Sequence, residues 1–235
     1  MDFRGALCVL HLINHSKINN MTKTCLLYDG SFKGLMTAVY LVLDRNLSEV
    51  TILCNNKYST GAGGCKIEVQ SRDLCLADVR RMIRVKAGEA YWQLIFRAFL
   101  SELKGAEDCI LEFVQLVADS ECFVPRMEKQ TCIRNIRHAA GMVQRAEERF
   151  YEITRTRLEN KKEKWISLQP TFDLVPLLAS RLSEEFPEKR WVLWDNRRNS
   201  GWCFNGEFLE PVNPAFNPER AIQSSGRSIG TLGAR

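Results

Sequence analysis

Three aspartates stand where the chain changes direction. Asp29 precedes Gly30, Asp173 opens an apolar helical run, and Asp195 closes a Trp-rich stretch. Carboxylates at element ends can converge, and a pair of them can do general acid and base work in a hydrolysis or on a nucleobase. The same positions suit caps and turns, because a short carboxylate accepts nearby backbone N–H groups. The cap and turn reading is the simpler one, and it makes Asp173 the N-cap of the helix that follows.

The second set of chemically able residues is cationic and aromatic. Trp191, Trp194, Arg197, Arg198, Trp202 and Phe204 lie within one short segment. Guanidinium groups contact phosphates, and an exposed aromatic ring stacks on an unpaired base. Arg197, Arg198 and Trp202 are the residues a nucleic acid would meet. In an extended strand Trp191 and Leu193 face one way, and Val192 and Trp194 the other. Helices covering both faces would leave the arginines decorating a turn, which is the commoner fate because Trp is usually well buried. In a charge-laced segment from Glu128 to Lys164, Arg134, Arg137 and Arg145 have few acidic neighbours one turn away. They are candidate phosphate contacts, against the ordinary reading of a solvated helix with internal ion pairs.

Other patterns fail on context. Thr60-Gly61-Ala62-Gly63-Gly64-Cys65-Lys66 is glycine-rich, but Cys65 separates Gly64 from Lys66 and no helix follows. A phosphate loop needs Gly-Lys-Ser/Thr and that helix, so this is a turn. Glu102-Leu103-Lys104 matches the E-x-K of metal-dependent nucleases, with Asp73 or Asp78 as imaginable second ligands. It closes a helix rather than lying on a strand, and Lys there complements the dipole. No C-x-x-C pair suggests zinc, and Cys132 is not a helical neighbour of His138. Neither a metal nor a cofactor is expected.

The elements that must position these residues follow from periodicity. Thr24 to Tyr28 and Val50 to Cys54 read as short strands, and Lys66 to Gln70 alternates with period two. Ser31 caps a helix with Phe32, Leu35, Met36, Val39, Tyr40 and Leu43 on one face. Helices are predicted over Asp73–Val85, Glu89–Leu103, Ala106–Ala118 and from Glu128 to about Lys164, with a break near Gly141. Pro187 ends the helix opened by Asp173. Trp191–Trp194 and Trp202–Phe204 are strands about a turn, and Asn205-Gly206 is a two-residue hairpin signal. Residues 213–235 carry little apolar pattern and are expected to form a disordered tail, most plainly in the Gly/Ser/Arg stretch Ser224 to Arg235.

The chain has 235 residues, 45% of them hydrophobic, enough for a sizeable core. A formal charge of +5 permits an acidic partner without demanding one. Nine scattered cysteines fit a reducing cytoplasm better than secretion. No apolar run reaches the roughly 20 residues of a membrane span. The first 20 residues lack a small-residue cleavage site after Ala6–Ile13, so they read as an upstream extension and Met21 as the functional start.

From about Thr24 to Phe208 the chain resembles a bacterial family labelled "probable DNA metabolism protein". Four stretches carry the match: Tyr28-Asp29-Gly30-Ser31-Phe32-Lys33-Gly34, Arg97 to Leu103 with Gly105 and Glu107, Pro170 to Phe186, and Arg190-Trp191 to Gly206. The last is similar to the family's R-W-x-[IL]-x-D-x-R-R-x-x-G segment. Two departures stand out. Phe172 replaces a His common just before the family's Asp, and Gln144–Phe150 does not reproduce its middle-helix pattern. If those positions serve a reaction, this copy is altered. Family members are similar to partners of a radical S-adenosylmethionine protein linked to DNA modification or repair, and some are fused to uracil-DNA-glycosylase-like domains. This chain has neither the glycosylase's water-positioning motif nor the radical enzyme's cysteine triplet, so it resembles the accessory partner alone.

The expectation is one α+β domain over residues 21–212, mainly helical, with a small antiparallel sheet joining residues 23–28 to the C-terminal hairpin. The expected function is an accessory DNA-metabolism module that binds DNA and a partner enzyme in the cytoplasm, with no membrane contact. A carboxylate enzyme at Asp29, Asp173 and Asp195, or a protein-only scaffold, are the alternatives.

Overall fold

The computed structural model describes residues 24–55, 65–121, 130–159 and 164–212. The expected extension over 1–20, the Met21 start, the glycine-rich turn at 60–64 and the tail from 213 lie outside them. Two compact units emerge. One comprises residues up to Phe99 with Leu103–Ala140, the other Leu100–Glu102 with the residues from Gly141 onward. The fold is α+β and mainly helical, as expected, with two small sheets.

In the first unit β1 (Thr24–Tyr28) is the central strand of three, in the order β2-β1-β3. Its neighbours β2 (Val50–Cys54) and β3 (Cys65–Glu68) both run parallel to it. The expected antiparallel partnership of β1 with the C-terminal hairpin is therefore corrected. Between β1 and β2 the chain crosses over through α1 (Phe32–Asp44), and such a crossover delivers parallel strands. All five β1 residues are buried, which suits a strand flanked on both edges. Helices α2 (Asp73–Lys86), α3 (Glu89–Leu100) and α4 (Ala106–Asp119) complete the unit with the start of α5 (Thr131–Glu159). Its core gathers Leu35, Met36 and Val39 of α1 with Ile83, Ile95, Ile110 and Val114.

α3 stops at Leu100, earlier than its apolar stripe suggests, because Glu102 adopts a left-handed φ of 53°. Gly105 precedes α4 as its N-cap, at a left-handed φ of 85°. α5 runs unbroken through Gly141 for 29 residues. One glycine costs about 1 kcal/mol of helix propensity, which tertiary packing of an apolar face readily exceeds.

The second unit is built on β4 (Trp165–Leu168), α6 (Val175–Glu185), β5 (Trp191–Asp195), β6 (Ser200–Phe204) and β7 (Leu209–Val212), with sheet order β4-β5-β6-β7. β4 was missed in the sequence, where the preceding helix was carried to Lys164. It pairs parallel to β5 across the α6 crossover, while β5-β6-β7 form the expected antiparallel hairpins. The second turn sits one residue later than predicted. Asn205 N–H donates to Phe208 O, so Gly206 and Glu207 occupy the bend, with Gly206 at φ 97°. The Asn205 side chain accepts from the N–H groups of Glu207 and Phe208. No described helix is long and apolar enough to cross a membrane.

Candidate functional site

Three of the four sequence stretches that carry the resemblance meet inside the second unit, around Arg198. Its turn is shaped by Asp195, whose Oδ1 accepts the backbone N–H groups of Arg197 and Arg198 at 2.8 and 3.2 Å. This is the turn role anticipated for Asp195, and it leaves Oδ2 for the Arg198 guanidinium at 2.7 Å. Glu102 takes Nε–H and Nη2–H at 3.1 and 2.5 Å. The remaining two N–H bonds go to the carbonyls of Pro170 and Thr171. A guanidinium has five donors, and all five are used. Burial works against the charged guanidinium, but the bonds from Glu102 and Asp195 outweigh it and hold the proton more tightly than usual. Arg198 is thus a half-buried tie between three chain segments.

Asp173 lies beside this tie and is the correction to the cap reading. Leu174 occupies the N-cap position of α6, with no side-chain cap, and Pro176 lies in the first turn. The Asp173 N–H donates instead to Leu100 O at 3.0 Å. Among the described residues no donor reaches the Asp173 carboxyl. Burial, the largest influence, pushes that carboxyl up to about 6; Glu102 and Asp195 add to the push and Arg198 opposes it. One cation among three carboxylates leaves an excess of negative charge, and Asp173 is where a proton relieves it. Chemically, this is a weak acid able to give or take a proton near neutral pH.

Arg197 is exposed and donates Nη1–H to Thr171 O at 2.7 Å. Trp202 is half-buried and pairs across the ladder with Leu193, on the face shared with Trp191. The opposite face carries Trp194 stacked on Trp165, ring centroids 5.6 Å apart, over Val192, Cys203 and Val212. Trp165 was not singled out from sequence, although Trp165-Ile166-Ser167-Leu168 alternates as a strand should. Glu102 was seen only as part of E-x-K at a helix end, and nothing local points to its distant partner.

The α5 arginines divide by their company. Arg134 is exposed and hydrogen-bonds Thr131 Oγ1, while Arg137 bonds Tyr91 Oη at 3.0 Å and lies over its ring. Arg145 and Arg149 are exposed without a carboxylate partner among the described residues, Arg149 lying over the Phe150 ring. Arg155, by contrast, is held by Glu152, Glu159 and Glu185.

Asp29 belongs to the first unit and to a separate network. Its Oδ1 accepts Ser31 N–H and Oγ–H at 2.9 and 2.7 Å, and its Oδ2 accepts Ser71 Oγ–H at 2.6 Å. Burial alone would raise this carboxyl; the hydrogen bonds from Ser71 and Ser31 outweigh it and hold the group below its ordinary value. Ser31 caps α1 as expected, accepting Gly34 N–H. Gly34 is required here, since a Cβ would collide with the Asp29 carboxylate and crowd Ser71 Oγ at 3.0 Å. Asp29 is therefore a turn residue tying the end of β1 to the start of α1. Among the described residues no three His, Cys, Asp or Glu side chains are arranged to hold a metal ion.

Residues 104–227 match the model of a family described as a domain of unknown function, DUF4130, and the chain belongs to that family. No curated protein and no solved structure matches it.

Proposed function

We propose that this member of the DUF4130 family is an accessory module of DNA repair or modification that binds nucleic acid and a partner enzyme. The carrying observation is a division among its guanidiniums. Arg155 and Arg198 are consumed by carboxylates, whereas Arg134, Arg145, Arg149 and Arg197 are exposed without one among the described residues. On a chain of net charge +5, such groups gain most from phosphate and release its counterions. The half-buried ring of Trp202 on one face of the second sheet, and those of Trp165 and Trp194 on the other, supply stacking surface. All seven described cysteines are free thiols, which fits work in the cytoplasm. The resemblance names the kind of partner: a radical S-adenosylmethionine protein or a uracil-DNA-glycosylase-like protein. Gel-shift assays with single- and double-stranded oligonucleotides at rising salt test the reading. A retarded complex that dissolves as salt rises supports it; no retardation at low salt rejects it.

A second reading, a base-processing enzyme, is favoured by one observation: Asp173 is a half-buried acid whose carboxyl is pushed up to about 6 near Arg198. It requires turnover of a modified-base oligonucleotide that Asp173→Asn abolishes. Unchanged oligonucleotide after incubation with the wild type leaves the binding module.

A further inference from the structure

The C-terminal turns of α1, α2 and α4 surround an open groove of about 600 Å³ in the first unit. Its floor is apolar: Val42 and Val79 are buried there, and Leu43, Leu47, Met82 and Leu116 line it half-buried. Its rim is acidic, with Asp44, Asp78, Glu112 and Asp119 around the opening. Only Asp78 has an ion-pair partner among the described residues, Arg81 at 3.0 Å. The other cation, Lys86, is spent on the Ala118 carbonyl at 2.7 Å.

Two of these acids stand where helix physics disfavours them. Asp44 is the last residue of α1 and Asp119 the last of α4, and neither helix has a basic residue in its final turn. Helix C-termini carry partial negative charge, so an aspartate there opposes the dipole and a cation is preferred. Two helix ends, their aspartates and Glu112 thus build a negative field around apolar side chains. Burial, with smaller contributions from Asp44, Cys75 and Asp78, raises the Tyr40 hydroxyl above its ordinary value.

We infer that this groove receives an amphipathic helix of a partner protein, its apolar side chains on Leu43, Met82 and Leu116 and its Lys or Arg residues on Asp44, Glu112 and Asp119. Charge complementarity selects the occupant. An apolar helix face fills the floor, and only a cationic flank relieves the two helix ends. The inference rests on the reading of the chain as an accessory module and names the surface its protein partner uses. DNA is excluded from this face by the same negative field.

The test uses the full chain and two fluorescein-labelled peptides of about 18 residues, long enough to form a helix on a surface. Both carry Leu at i, i+3, i+4 and i+7; one has Lys at the other positions and the other Glu. The Leu/Lys peptide is expected to bind and the Leu/Glu peptide not to. Asp44→Asn with Asp119→Asn should weaken the complex about tenfold. Met82→Glu should do the same from the floor, and Glu112→Gln serves as an exposed substitution should the double variant misfold. Gel shifts with DNA on these variants should match the wild type, so loss of peptide binding and loss of DNA binding are read separately. No binding of the Leu/Lys peptide, equal binding of both, or affinity unmoved by the rim and floor substitutions overturns the inference.

Discussion

Glu102 grips Arg198 with both carboxylate oxygens, at 3.1 and 2.5 Å, across 96 positions of sequence. The pair fastens the segment after α3 to the β5–β6 turn, and Asp195, only 1% exposed, is the guanidinium's second carboxylate partner. Removing Arg198 leaves the buried Asp195 carboxylate without its cation. Arg198→Ala is therefore expected to cost about 3 kcal/mol, read from urea unfolding midpoints. Lys at this position has three donors for five acceptor contacts and should recover only part of that. A loss below about 0.5 kcal/mol, the range of ordinary surface substitutions, would mean that the tie is slack.

Asp173 makes stability depend on pH in a stated direction. Its carboxyl titrates at about 6 in the folded chain, above the ordinary 3.8. Below about pH 4 it is protonated in both states and contributes nothing. Between about pH 4 and 6 the folded state holds the extra proton, so stability falls as pH rises; above about 6 the full penalty is present. Asp173→Asn should therefore stabilise by about 1–3 kcal/mol at pH 7.5 and by far less at pH 4.5. Urea midpoints of both proteins at the two pH values measure the difference. An equal effect at both would place the ordinary carboxyl value at this position.

Gly34 and Gly141 should respond oppositely to the same substitution. Gly34→Ala drives a methyl into the Asp29 carboxylate and should cost about 1–3 kcal/mol. At Gly141 the added Cβ meets only Arg145 Nη1 at 3.5 Å, an ordinary contact inside α5. Gly141→Ala should gain about 0.5–1 kcal/mol of helix stability. Thermal unfolding followed by circular dichroism reads both.

Local order was legible in the sequence and long-range order was not. The Ser31 cap, the span of α1 and the β5–β6 hairpin follow from side-chain spacing and short-range hydrogen bonding. Parallel pairing of β1 with β2 was missed because it follows from a crossover rather than a turn, although strand, helix and strand were each recognised. The cap reading of Asp173 fails because cap chemistry is local, whereas the charges that act on its carboxyl, Arg198, Glu102 and Asp195, come from distant segments. Likewise Arg197 and Arg198 look alike in sequence. Only the fold separates an exposed guanidinium from one whose five donors are spent.

That separation gives the most direct test of nucleic-acid binding. Fluorescence anisotropy of labelled single- and double-stranded DNA is measured against salt for the wild type, Arg197→Ala, Arg145→Ala with Arg149→Ala, and Trp202→Ala. Salt-sensitive binding by the wild type is predicted, with the slope of log affinity against log salt falling by about one unit for each arginine removed. Trp202→Ala should weaken chiefly the single-stranded complex, by about 1–3 kcal/mol. A folded wild type whose anisotropy does not change with DNA at low salt, or whose slope is indifferent to these arginines, would contradict the proposal and leave a protein-only scaffold.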